Sequence, residues 1–137
     1  MKKNSSLRFL PGFTLTELLV VLIIMGILVL LALPNLMPLI SKAKSTEAQL
    51  QLSHVHMLEK TYFYLHSTYS DNLAEIGFEQ EKLSTDGGKA NYIIEIVEAS
   101  NTGFKAKAIS LVDFDNDGVF NEWEINENKD LSETIKD

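Results

Sequence analysis

The sequence predicts an α+β chain, with one long N-terminal helix that runs from a membrane segment into a small head and packs there on a short antiparallel sheet. Three observations carry this. Leu18 to Leu33 is a run of sixteen uncharged, almost wholly apolar residues. Past Pro34 the apolar positions thin to near-helical spacing (Leu36, Leu39, Ile40, Ala43, Ala48, Leu52, Val55, Leu58, Tyr62), which extends the helix to about Ser67. After Ser70, β-rich stretches alternate with turn signals.

The apolar run is long enough to cross a hydrocarbon core, which needs roughly 20 residues. Lys2, Lys3 and Arg8 precede it with no acid among them, which keeps that end in the cytoplasm. A secretory signal would end at small residues, but here the run ends Leu31-Ala32-Leu33-Pro34. A lipoprotein anchor would need a cysteine, and there is none. A plain single-pass anchor explains neither Gly12 before the run nor Glu17 at its edge. A carboxylate inside a bilayer costs a few kcal/mol or more, so it signals a partner.

Gly12-Phe13-Thr14-Leu15-Thr16-Glu17 and the apolar continuation resemble the N-terminal signal of type IV pilins and type II secretion pseudopilins. The resemblance implies the pilin fold and cleavage by a prepilin peptidase between Gly12 and Phe13, followed by N-methylation of Phe13. It also implies that Glu17 serves assembly, and that Gly26 and Pro34 bound a helix section able to lose its hydrogen bonds in a fibre. The division that follows is a basic leader (1–12), a transmembrane and filament-core half-helix (13–40) and a soluble head (41–137). Phe13 and Glu17 lie four apart and share a helix face. After cleavage Phe13 would carry an ammonium, so Glu17 could pair with it within one chain or with a neighbour's. Setting register between subunits is the better-attested use of such a buried pair.

Along the head half, Ser41, Lys42, Lys44, Glu47, Gln49, Gln51, Glu59 and Lys60 read as a wet face. Pro34 deletes one helical hydrogen bond, so a slight kink is expected there. His54 and His56 point about 200° apart on a helix and cannot share an ion; with His66 they read as solvated or partly packed. Tyr62, Phe63, Tyr64 and Tyr69 read as packing under the sheet. Ser70-Asp71-Asn72 suggests a capped turn leading to Ile76-Gly77-Phe78, and Asp86-Gly87-Gly88 a turn. Three strands are expected: Tyr92 to Val97, Phe104 to about Val112, and Phe120 to Ile125, with Trp123 and Ile125 facing inward.

Asp113 to Glu124 satisfies the calcium-loop pattern Asp-x-Asp-x-Asp-Gly, five residues, Glu. Asp113, Asp115, Asp117, the Val119 carbonyl, Asn121 and a bidentate Glu124 would supply hard oxygen ligands to calcium. Asn116-Asp117-Gly118 is equally a hairpin turn that needs no ion, and both readings stand.

Composition bounds the function. Without the leader, nine Lys and Arg face nineteen Asp and Glu, so the bulk surface repels nucleic acid. No nucleophile–base pair, phosphate loop or catalytic metal spacing points to an enzyme. The reading is a structural subunit of a type IV pilus or pilin-like filament. It would be inserted in a bacterial inner membrane as a precursor with its head in the periplasm, then extracted by an assembly platform into a homo-oligomeric helical fibre at the cell surface or spanning the periplasm. The alternatives are a secretion pseudopilin, disfavoured by the absence of an Asp-Pro-Trp-Gly segment, and a membrane-tethered calcium-binding module that does not polymerise.

Overall fold

Helix α1 spans Leu15–His66 and is followed by strands β1 (Tyr92–Ala99), β2 (Phe104–Ser110), β3 (Glu122–Asn126) and β4 (Leu131–Ile135). The computed structural model describes residues 12–114 and 116–137, without the side chains of 34–37. The leader falls almost entirely outside the described residues, as do Asp115 and the Pro34 ring on which the kink expectation rested. The chain divides into two compact units, Met1–Leu36 and Met37–Asp137.

In the first unit, Leu15–Leu33 has a mean hydropathy of 2.9 and none of it is buried within the chain. It is long and apolar enough to cross a membrane. Its residues are exposed in the single chain.

In the second unit, one side of the helix lies on the sheet. Ala48, Leu52 and Val55 are fully buried there, as the periodicity predicts. Strand β2 buries alternate residues, Phe104, Ala106, Ala108 and Ser110, and turns Lys105 and Lys107 outward. The outward lysines reach Glu124 at 3.6 Å and Glu122 at 3.4 Å on β3. Such exposed pairs contribute little stability. The helix ends where Ser67 turns to φ 58°, one residue beyond His66.

The connector carries the expected capped turn, with Asn72 O accepting from Glu75 N at 3.1 Å and Ile76 N at 3.4 Å, and Leu73 O closing it by accepting from Phe78 N at 2.9 Å. Ser70 Oγ accepts from Asn72 N, and Asn72 Oδ1 accepts from Ala74 N. Gly77, at φ 78°, then lets Ile76 and Phe78 enter the core. Past it, Gln80 guards the edge of β1. Its Oε1 accepts from Ile94 N at 3.0 Å and its Nε2 donates to Tyr92 O at 3.1 Å. One side-chain amide thus fills the place of a neighbouring strand.

The structure corrects several expectations. The described sheet has four antiparallel strands in the order β1-β2-β3-β4, not three. The third begins at Glu122, and Phe120 stays exposed. Ile125 is buried and Trp123 packs partly beside the core. Ser41 and Glu59, placed on the wet face by residue type, are buried, whereas Leu50, Met57, Tyr64 and Leu65 are exposed. Tyr62, Phe63 and Tyr69 do pack, with Phe63 stacked on Tyr69 at 4.7 Å between ring centroids. His54 and His56 lie against Phe78 and Phe104 respectively, and His66 against Tyr62.

Candidate functional site

The start of α1 is where sequence chemistry and geometry meet. The first backbone N–H groups of a helix have no partner within it, and an apolar surrounding offers no water to satisfy them. Thr14 and Glu17 answer this reciprocally. Glu17 N donates to Thr14 Oγ1 at 3.2 Å, while Glu17 Oε2 accepts from Thr14 N at 2.9 Å and from Thr14 Oγ1 at 2.9 Å. This is a capping box, with the Glu at the third helical position. The Thr-x-x-Glu spacing announces it, and the sequence reading passed over it. The carboxylate also meets the positive end of the helix dipole.

Phe13 lies one residue outside this box, 84% exposed. The Gly12–Phe13 bond is therefore on non-helical backbone. A Cβ at Gly12 would meet nothing within 4 Å, and the same is true at Gly26 inside the helix. Among the described residues, no contact requires either glycine. Gly26 even costs a helix interior roughly 0.5–1 kcal/mol relative to Ala.

The acidic loop is built differently from its linear pattern. Asp113 ties the loop with Oδ1 accepting from Asn116 N at 2.6 Å and Oδ2 from Gly118 N at 2.8 Å. Asp117 Oδ1 accepts from Val119 N at 2.7 Å, and Asp137 Oδ2 accepts from Phe114 N at 2.9 Å. Oxygens of Asp113, Asp117 and Asp137 lie within 4.8 Å of one another. Asp137 comes to the loop from beyond β4 and was not in the pattern.

The expected six-ligand arrangement is not what the described residues assemble. Asn121 is fully buried elsewhere. Its Oδ1 accepts from Tyr92 Oη at 2.7 Å and Ser45 Oγ at 3.4 Å, and its Nδ2 donates to Glu133 Oε1 at 2.7 Å and Ile135 O at 3.1 Å. Its side-chain hydrogen-bonding capacity is spent joining α1, β1 and β4. Burial pushes the Tyr92 hydroxyl up to about 12. Glu124 lies on the outward face of β3, paired with Lys105.

Fold and N-terminal segment together define a class: an α+β, pilin-like chain whose apolar helix opens on a prepilin-type motif. The family model for the prokaryotic N-terminal methylation motif matches residues 11–33. The type IV major pilin protein PilA of Myxococcus xanthus (strain DK1622) is 40% identical over 78 residues, which is 55% of this chain and 36% of that protein. The match thus spans about a third of the relative's length. The resemblance to type IV pilins, stated above on residues alone, holds on both comparisons.

Proposed function

We propose that the chain is a structural subunit of a type IV pilus. It is made as a membrane-inserted precursor, cut after Gly12 by a prepilin peptidase, methylated at Phe13, and passed by an inner-membrane assembly platform into a helical filament. The observation that carries this is the uncovered Leu15–Leu33 helix with a capped carboxylate in its first turn. In the precursor, Thr14 supplies Glu17 with hydrogen bonds but no positive charge. Cleavage places an ammonium next to the box, and a neighbour's ammonium meeting Glu17 removes the remaining burial penalty and sets the axial offset. Gly12 and Gly26, which no contact among the described residues requires, fit demands from outside the single chain: peptidase access at the first, and a helix section that can open in the fibre at the second, together with Pro34.

A second feature supports assembly. On the face of α1 turned from the sheet, the exposed residues from 43 to 66 are Ala43, Thr46, Leu50, His54, Met57, Thr61, Tyr64, Leu65 and His66, with no Lys, Arg, Asp or Glu. An acidic head that must approach copies of itself is served by a helix face with few like charges, Glu47 and Glu81 standing only at its border beside Ala43, Thr46, Leu50 and His54. The pilin relative favours a pilus over a secretion pseudopilus. Filaments sheared from cells should contain the chain. Leu50→Glu combined with Met57→Glu should reduce them several-fold while the head still folds, and unchanged yield would remove this face from the assembly.

One observation favours a calcium-binding role for the head, alone or within the fibre: the convergence of Asp113, Asp117 and Asp137. Calcium there would be held by carboxylate oxygens that the loop already orders, with Asp115 and the Val119 carbonyl as further oxygen donors from the same loop. A cation bound only by the folded state raises the melting temperature with concentration. Millimolar calcium should raise it in the wild type and not in Asp137→Asn, and an unshifted wild type would end this reading.

A further inference from the structure

Glu59 is fully buried near the C-terminal end of α1, and it takes no part in the assembly described above. Its Oε2 accepts from Ser70 N at 3.2 Å, while Oε1 is enclosed without a hydrogen-bond partner. We propose that Glu59 is a pH-operated latch: its neutral carboxyl holds the connector 68–78 on the helix, and its ionisation loosens that segment.

The geometry converges on Ser70, which is itself buried. Glu59 takes its amide, and Glu75 Oε2 accepts its hydroxyl at 2.8 Å. The adjacent Tyr69 is stacked on Phe63, set against Phe104 at 5.1 Å, and donates its amide to Ser100 O. Releasing Ser70 therefore frees a segment that closes one end of the core.

The ionisable groups on the surrounding elements are otherwise engaged. On α1, Lys60 Nζ donates to Tyr69 Oη at 2.9 Å, Tyr62 Oη donates to Glu75, His66 lies against the Tyr62 ring, and His56 Nε2 meets Glu127 O. On β2, Lys105 pairs with Glu124. Among the described residues, no cation lies within ion-pair distance of Glu59. Burial accordingly lifts its carboxyl above the ordinary range, and the Ser70 bond opposes this to a smaller extent.

The sign follows from linkage. At pH below the ordinary carboxylate range Glu59 is protonated whether the segment is closed or open, and the latch is at full strength. As pH rises through the lifted value, charge forms inside and the closed state is penalised.

The test uses the full chain in detergent micelles. Amide protection of 68–78, corrected for intrinsic exchange, is followed from about pH 4 to about pH 8 beside the Glu59 carboxyl titration by NMR. Protection should fall with the midpoint of that titration, by roughly tenfold for each pH unit separating Glu59 from an ordinary Glu, while β2 amides stay protected. Glu59→Gln keeps an acceptor for Ser70 and cannot ionise, so its protection should not change with pH. An ordinary Glu59 titration, or the same fall in Glu59→Gln, would overturn the latch. Should Glu59→Gln fail to fold, coincidence of the two wild-type midpoints decides, and separate midpoints overturn it.

Discussion

Glu17 and Glu59 stand on the same helix, and their surroundings treat them oppositely. Glu17 receives two hydrogen bonds from Thr14 at the helix start and is exposed in the single chain. Glu59 has one backbone donor, is fully buried, and has an oxygen with no partner. The fold itself imposes the cost on Glu59. For Glu17 the cost arises only when lipid or other subunits surround Leu15–Leu33. A conformational role within the head fits the first case, and an intermolecular role fits the second.

Crossing the two residues breaks or sharpens that contrast most directly. Glu17→Gln should lower sheared filament yield by at least an order of magnitude and leave head stability unchanged, since removing one member of a buried pair costs about 3–5 kcal/mol. Glu59→Gln should do the reverse, with filament yield kept and the head more stable above neutral pH. Equal losses from both would erase the distinction.

Next in size is Asn121→Ala, which leaves the Tyr92 hydroxyl and Glu133 without their buried partner. Denaturant titration should show a loss of about 2–4 kcal/mol. Thr14→Ala should weaken the helix start by about 1 kcal/mol, read as faster exchange of the first-turn amides in micelles. The smallest effect is at His56, whose ring burial holds below the ordinary range against the opposing bond to Glu127 O. Its contribution is therefore present above about pH 6.5 and lost as pH falls through the lowered value. His56→Gln should flatten that part of the stability profile.

Strong periodicities were legible in the sequence. The apolar run, the helix positions Ala48, Leu52 and Val55, and the Phe104-Ala106-Ala108 alternation each repeat a pattern that backbone geometry imposes. Strand β4 was not legible, because a short edge strand with four of its five residues exposed carries almost no alternation. Glu59 and Ser41 were misplaced because their residue types argue for water, and Tyr64 because its type argues for packing. Thr14 was readable as a cap from Thr-x-x-Glu. Asp137 joins the acidic loop only through the β3–β4 fold, so no linear pattern contains it.

The proposed assembly rests on an ammonium that trimming after Gly12 would create beside Glu17. The mass of the N-terminal peptide from protein recovered out of cells tests it most directly. The predicted peptide begins at Phe13 and carries a methyl group in place of one N-terminal hydrogen, a gain of one CH2 in mass, whereas a peptide that still begins at Met1 would contradict it.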